Sequence, residues 1–268
     1  MSRNVDKKTT WWGKYRLAEN RSMSWDIGPL RLAVHRLAQE WLVFHETASA
    51  WIDTEETESI DRPAINTEMA AAKGRFVFAE TEDILELIPV LADRPVVTKP
   101  AIPFHVPAGQ QITIYVSTPL WIRINTGEQG IILKEVAIQR PSDTWFGQST
   151  REGELCYAGS TSGRLQLDLL PLRSFRAVTP ILISNQSSSS LALEKIKLPV
   201  LYLSLFQGSR DCLWTQAVSM TRKPEGGVDV LDIREGPPEH LQNSVLVSGP
   251  RHKVDKKILS GTLSMLFG

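Results

Sequence analysis

Residues 112–124 alternate between apolar and polar side chains, and no other feature constrains the fold of this chain as strongly. Successive side chains of a strand point to opposite faces, so this segment predicts a strand with one buried face. Pro119 interrupts the segment and predicts a bend or a bulge. The apolar residues all occupy even positions: Ile112, Ile114, Val116, Leu120, Ile122 and Ile124.

Residues 23–45 are typical of an antiparallel hairpin, in which two alternating segments flank a turn at 37–40. A helix over 30–44 is the alternative, because some of the same apolar residues are also spaced for one helical face. Trp, Val and Phe cluster in this region, which favours strands. The residues that fit both patterns are Leu30, Val34, Leu37 and Trp41.

Short segments of the same kind recur along the rest of the chain, separated by Gly, Pro, Asn and Ser. In segment 131–138 the apolar residues Ile132, Val136 and Ile138 all occupy even positions and are expected on one face. In segment 191–198 the apolar residues change from odd to even positions, which predicts a bulge near 194–195. This spacing predicts an all-β fold, an antiparallel β-sandwich of the jelly-roll or immunoglobulin type. The segments are 131–138, 165–169, 177–183, 191–198 and 228–233, the last being the final regular strand.

The 268 residues suffice for one large β domain or two smaller ones. Residues 46–74 contain an acidic run followed by helix formers, which predicts an exposed helical or irregular insertion. A small β unit at 11–45 packed on a sandwich at 75–235 is the alternative to one large domain. The predicted organisation is a loose N-terminus at 1–10, a β-sandwich at 11–235 and a C-terminal tail at 236–268.

Charge and composition exclude several functional classes. Lys and Arg together count 30, as do Asp and Glu, so the chain has no net charge to attract nucleic acid. No apolar run is long enough for a transmembrane helix, and the first residues lack the apolar core of a signal peptide. We therefore expect a cytoplasmic protein. Cys156 and Cys212 are expected as reduced thiols, with one bridge between them as the alternative.

The stretch from Asp143 to Ala158 concentrates charge, aromatic rings, hydroxyls and glycine. We interpret it as a connection held at one end of the sandwich. Carboxylates beside an arginine suit acid–base chemistry, and rings beside carboxylates suit the binding of sugars. The structural alternative is that these carboxylates cap turns and that the rings fill the core. The candidate ligand-binding residues are Asp143, Trp145, Arg151, Glu152, Glu154 and Tyr157.

No complete catalytic, metal or cofactor motif is present. Cys156 has no histidine near it in the sequence, so an inert buried thiol is favoured over a nucleophile. The histidines lack metal-ligand spacing, and only His35 and His45 would face each other across the predicted hairpin. No phosphate-binding loop or nucleophile elbow occurs. We predict no catalytic residue, no metal and no cofactor, and the balance is against an enzyme.

The predicted tail ends in a basic cluster followed by apolar residues. Such an end either packs on its own domain or docks on a partner, and a peripheral membrane contact is a weaker alternative. The candidate docking residues are Lys256, Lys257, Leu263, Leu266 and Phe267.

Four sequence pieces resemble a prokaryotic family of unknown function, domain of unknown function 432. They are Ile114–Arg123, the pieces Asp143–Gly147 and Thr150–Tyr157, and Thr179–Asn185. The resemblance spans about residues 90–235, with a weaker match at 25–30. It implies an uncharacterised soluble prokaryotic protein and transfers no catalytic residue.

The sequence as a whole favours a non-enzymatic binding or protein-interaction module with an unknown partner. The second hypothesis is a carbohydrate or small-ligand binding domain that uses residues 143–157. The third is an acid–base hydrolase.

Overall fold

The computed structural model describes most of the chain. The described residues are 10–48, 73–100, 102–147, 149, 151–161, 164–167, 170, 172–208, 212–224, 230–241 and 243–253. They belong to two compact units, Met1–Val90 with Trp121–Gln139, and Leu91–Leu120 with Arg140–Gly268. The predicted insertion lies mostly outside the described residues. The predicted domain boundaries stay a prediction.

Unit 1 contains two four-stranded sheets in which every pairing is antiparallel. One sheet has the order β1-β6-β10-β11 and the other the order β2-β3-β4-β5. The strands are β1 Gly13–Arg16, β2 Arg21–Ile27, β3 Leu30–Arg36, β4 Glu40–Thr47, β5 Gly74–Val77, β6 Ile84–Val90, β10 Trp121–Thr126 and β11 Ile131–Ala137.

The two sheets of unit 1 contact each other along both of their edges, at β1 with β2 and at β11 with the start of β5. Tyr15 of β1 packs edge-on against Trp25 of β2 with ring centroids 5.2 Å apart. Lys134 of β11 donates a hydrogen bond from Nζ to the carbonyl oxygen of Lys73, which precedes β5, at 2.8 Å. These contacts stack one sheet on the other, in the manner of a sandwich.

The predicted N-terminal hairpin is confirmed, and the helical alternative is wrong. β3 and β4 pair on either side of the predicted turn, with Arg36 opposite Trp41. β2 also pairs with β3, through a two-residue turn in which Gly28 has a φ of 55°. A positive φ costs glycine nothing, which explains why this residue closes the turn. Alternate residues along β3 are buried on the inner face, among them Leu30, Leu32 and Val34.

Unit 2 contains three sheets. The largest has seven strands in the order β20-β19-β14-β18-β17-β21, with β9 also paired to β14; the others have the orders β12-β13-β7-β16 and β15-β8. The strands are β7 Val96–Pro100, β8 Phe104–Val106, β9 Gln111–Pro119, β12 Ser142–Phe146, β13 Glu154–Thr161, β14 Arg176–Asn185, β15 Leu191–Leu193, β16 Ile196–Leu198, β17 Leu205–Gln207, β18 Leu213–Thr215, β19 Val218–Arg222, β20 Val230–Ile233 and β21 Val245–Ser248.

The all-β prediction is confirmed, with mostly antiparallel sheets. Three pairings in unit 2 are parallel, however: β7 with β13, β14 with β18 and β14 with β19. A parallel pair requires a long connection between its strands, and period-two patterns contain no information about such long-range pairing.

The alternation at 112–124 belongs to two strands instead of one. β9 ends at Pro119 and β10 begins at Trp121, so the predicted bend at Pro119 is confirmed. β9 pairs with β14 in unit 2, whereas β10 pairs with β6 and β11 in unit 1. The chain therefore passes from one unit to the other at Leu120.

The predicted phase of Ile132 is wrong. The β10–β11 register shifts after Ile124, which pairs with Lys134, while Asn125 pairs with Ile132. Leu133 is therefore the extra residue of a bulge, and a bulge reverses the face on which the preceding side chains lie. Leu133 is 8% exposed and Ile132 is 55% exposed.

Two further details of the predicted strands are wrong. Residues 191–198 form the separate strands β15 and β16, which pair with β8 and β7 in different sheets, instead of one bulged strand. In the described part of the chain the last strand is β21, which lies inside the predicted tail and pairs with β17. Among the described residues, no helix has the length and apolarity needed to cross a membrane.

Replacing Leu133 or Ile132 by alanine tests the bulge. Leu133→Ala removes a buried side chain and is expected to lower the free energy of unfolding by about 2 kcal/mol. Ile132→Ala removes an exposed one and is expected to cost less than about 0.5 kcal/mol. Urea unfolding of both variants measures the difference. A larger loss for Ile132→Ala would contradict the register.

Candidate functional site

The stretch interpreted as a connection is instead a β-hairpin. Its strands are β12 and β13, and Phe146 pairs with Glu154 at the turn end. The turn is tight, because a Cβ on Gly147 would lie 2.0 Å from the carbonyl oxygen of Glu152. Ser149 stabilises the turn, since its Oγ accepts the backbone N–H groups of Arg151 and Glu152 at 3.2 and 3.0 Å.

One face of this hairpin presents two cross-strand pairs. Asp143 lies opposite Tyr157, and Trp145 lies opposite Leu155. Residues directly opposite each other in an antiparallel pair project to the same side, and residues two apart along a strand share that side. The four side chains therefore form one surface, which we name the hairpin face.

Trp145 is exposed, and contacts with the turn nevertheless hold its ring in place. Its exposed fraction is 49%, and that of Leu155 is 45%. Trp145 Nε1 donates a hydrogen bond to the carbonyl oxygen of Ser149 at 2.8 Å. A Cβ on Gly153 would lie 2.7 Å from the same nitrogen, so the indole fits only against a residue without a side chain. The result is an apolar platform whose aromatic ring is already oriented.

Two arginines and an aspartate surround Tyr157 at the other end of the hairpin face. Asp143 accepts hydrogen bonds from Arg94 at 3.2 Å and from Arg140 at 2.9 and 3.0 Å. The Cζ atoms of Arg94 and Arg140 lie 5.4 and 5.3 Å from the centroid of the Tyr157 ring, which is within cation–π range. These contacts link the start of β12 to the segment that precedes β7.

The Tyr157 hydroxyl points to a carboxylate. It donates a hydrogen bond to Oδ1 of Asp93 at 2.8 Å. Burial of the ring, followed by this hydrogen bond, raises the pKa of Tyr157. The phenol is therefore a neutral donor, and the contact orders the ring.

The opposite side of the hairpin is a core. Lys197 on β16 is buried, with 7% of its side chain exposed, and forms a short ion pair with Glu154, whose side chain is 41% exposed. Lys197 Nζ also lies 5.6 Å from the centroid of the Phe146 ring. Phe146 clusters with Cys156 and Val97. This side supports the hairpin.

The structure brings together only part of the predicted set. Asp143, Trp145 and Tyr157 share the hairpin face, whereas Glu154 lies on the opposite side. Arg151 and Glu152 lie exposed in the turn. Asp143 and Glu154 are therefore not a catalytic pair of carboxylates.

Sequence reasoning missed Leu155, Arg94 and Arg140 on the hairpin face and Lys197 behind it. Leu155 had a local signal, because it alternates with Cys156 and lies two residues before Tyr157. Arg140 had one too, because it lies three residues before Asp143. Arg94 precedes β7 and Lys197 lies on β16, and the pairing of β7 with both β13 and β16 brings these two residues beside the hairpin.

The cysteines and histidines form no reactive site in the described part of the chain. Cys156 and Cys212 are both buried and free, so the predicted thiols are confirmed. His45 lies opposite Leu32 and His35 opposite Leu42, so the expectation that the two histidines face each other is wrong. No group of three potential metal ligands occurs among the described residues.

Two grooves lie away from the hairpin, one in each unit. The groove in unit 1 has a volume of about 500 Å³ and an acidic lining, in which Asp83 pairs with Arg16 at 2.7 Å. The groove in unit 2 has a volume of about 190 Å³ and includes Arg234, which pairs with Glu239 at 3.1 Å. Neither lining contains a tryptophan, tyrosine or phenylalanine, whereas the hairpin face exposes the ring of Trp145, so the hairpin face is the stronger candidate.

The candidate docking residues of the tail lie outside the described residues. They are Lys256, Lys257, Leu263, Leu266 and Phe267, and their role stays a prediction.

The fold and the hairpin face define an all-β protein that exposes an aromatic and charged surface on a hairpin. A family model described as "Protein of unknown function (DUF432)" matches residues 11–267. The chain belongs to this family, and the match confirms and extends the resemblance seen at 90–235. No curated protein and no solved structure matches the chain.

The two predicted carboxylates are expected to differ in their effect on stability. Glu154→Gln leaves the Lys197 ammonium buried without its partner and is expected to lower the free energy of unfolding by about 2 kcal/mol. Asp143→Asn is expected to cost less than about 1 kcal/mol, because its ion pairs are more exposed. Denaturant unfolding measures both. The double variant Glu154→Gln/Lys197→Met should recover at least half of the loss, and no recovery would contradict the pairing.

The thiol of Cys156 is expected to be unreactive in the folded protein. Burial, reinforced by Glu154, raises its pKa to about 12 from an ordinary value of 9.0. At pH 8 the thiolate fraction, and with it the rate of alkylation by iodoacetamide, should be about a thousandfold below that of the unfolded chain. Peptide mass spectrometry resolves Cys156 from Cys212. Equal rates in the folded and unfolded protein would show that the thiol is accessible.

Proposed function

We propose that this protein is a non-enzymatic binding module that recognises a partner protein through the hairpin face. The observation that carries the proposal is Trp145, an exposed ring that its contacts with Ser149 and Gly153 hold in one orientation. Tryptophan, tyrosine and arginine are the residues that most often dominate the energy of protein interfaces. Trp145 is exposed on this face, and the partly exposed Arg94 and Arg140 lie beside it. Tyr157 is buried and contacts both arginines through its ring.

The position of the hairpin in its sheet supports the same proposal. β12 is an edge strand, since its sheet has the order β12-β13-β7-β16. An exposed edge has backbone N–H and C=O groups available to an incoming strand. The residues of the hairpin face line neither of the two grooves, and surfaces without a concave pocket suit proteins better than small molecules.

Carbohydrate binding is the second candidate function. It is favoured by the position of the Trp145 ring two residues from the Asp143 carboxylate, since a sugar stacks its apolar face on a ring and donates its hydroxyls to a carboxylate. The third hypothesis, acid–base hydrolysis, would require a pair of carboxylates other than Asp143 and Glu154, which lie on opposite faces of the hairpin. The cytoplasmic location remains part of the proposal.

Selection of a displayed library of random octapeptides on the protein tests partner binding. We expect peptides whose affinity falls at least about tenfold in Trp145→Ala, because a central aromatic anchor is removed. Leu165→Ala is the matched control, since Leu165 is exposed outside the hairpin, and it should leave the affinity unchanged.

Two outcomes contradict the proposal. Peptides that bind Trp145→Ala as well as the wild type would show that the hairpin face is not the binding surface. Binding of a glycan on an array that depends on Trp145, without any such peptide, would favour the second candidate.

A further inference from the structure

We infer that the partner adds an extended segment to the edge of β12, and that this segment carries an apolar and an acidic residue at even spacing. The inference rests on the proposed function and specifies its partner. Its three parts are the edge, the spacing and the charge.

β12 is an edge strand of its sheet. β13 occupies one side of β12, and no strand pairs with the other side among the described residues. Ser142, Asp143 and Trp145 are exposed, and no proline interrupts 142–146. Natural edges are usually protected by prolines, bulges or coverage. β12 shows no bulge in its pairing with β13.

The spacing follows from the geometry of an added strand. Asp143 and Trp145 are two residues apart on the same face, which corresponds to about 6.7 Å along a strand. Residues of the partner that contact the Trp145 end and the Arg140 end of the hairpin face must share that face too. They are therefore two or four positions apart, and an odd spacing would place one of them on the wrong side.

The Trp145 end is complementary to an apolar side chain. Trp145 and Leu155 are directly opposite each other and about half exposed. A branched apolar residue placed beside this pair removes apolar surface of both partners from water.

The Arg140 end is complementary to a carboxylate. Arg94 and Arg140 share the single carboxylate of Asp143, and neither forms a two-nitrogen fork with it. Each guanidinium carries five N–H donors, more than its contacts with Asp143 and Tyr157 use. Arg140 is half exposed and next to β12 in the chain. A carboxylate from the partner would complete the bidentate geometry that guanidinium groups favour.

The sequences of peptides that depend on Trp145 test this inference. The expected motif has an apolar residue and a Glu or Asp two or four positions away. Peptides that depend on Trp145 but lack an acidic residue at even spacing would overturn the inference and leave the proposed function standing. The absence of any peptide that depends on Trp145 would overturn both.

A double-mutant cycle tests the contact with Arg140. Arg140→Gln should lower the affinity for a peptide that carries the acidic residue by about fivefold or more. It should have little effect on the affinity for the same peptide with its Glu changed to Gln. Arg31→Gln is the control, because Arg31 is an exposed arginine of unit 1. Equal weakening of both peptides would overturn the assignment of the carboxylate.

N-methylation of the peptide backbone tests strand addition. Methyl groups at alternate residues remove donors that face β12 and should abolish binding, whereas methyl groups at the intervening residues should be tolerated. Loss at every position, or tolerance at every position, would overturn the extended geometry.

Discussion

The backbone of β14 must have all its hydrogen bonds inside the protein, and the architecture of unit 2 depends on this requirement. β14 is almost entirely buried, so its peptide groups cannot bond to water. β9 pairs with it from Arg176 to Ser184, and the other edge is divided between β18 and β19. Pro180, which has no N–H, lies between the two parts of that divided edge. The chain that follows β14 leaves the sheet and forms β15 and β16, of which β16 pairs with β7. It returns to the sheet with β17, and β18 and β19 then both pair with β14.

β16, formed on this path, carries the residue that supports the hairpin from behind. β16 brings Lys197 to the side of the sheet where Glu154, Phe146 and Cys156 lie, so that side is closed by an ion pair and packed apolar groups. The turn then determines what the other side presents. The close approach of Gly147 and Gly153 leaves no room for side chains there, and the indole of Trp145 occupies the space that a Cβ on Gly153 would need. A ring already oriented in this way loses little conformational entropy on binding.

The sequence predicted those features that depend on the alternation within a single strand or on residue type. The hairpin at 23–45, the bend at Pro119 and the buried Cys156 follow from alternation and from residue type. The exposure of Ile132 was not predicted, because a bulge depends on how two strands pair and cannot be read from one strand alone. Arg94 and Lys197 could not be found in this way for a different reason. Their positions beside the hairpin depend on the pairings of β7 with β13 and with β16, which are long-range contacts between segments with no shared local pattern. The hairpin itself was missed because charged and aromatic residues on both strands obscured the period of two.

A chain with equal numbers of acidic and basic residues cannot attract a partner through its net charge, so any selectivity must come from local arrangement. The hairpin face has such an arrangement. Its charged end and its apolar end are two residues apart on one strand, and the same strand is an edge. An incoming segment that forms backbone hydrogen bonds with β12 must adopt a register set by those bonds. In that register its side chains contact either both the apolar and the charged end of the face or neither of them. Shifting that segment by one residue would turn its side chains away from the face, while the backbone hydrogen bonds alone would distinguish little between sequences. In the proposed binding mode, the combination of an edge with a two-ended face would therefore discriminate between sequences better than either feature alone.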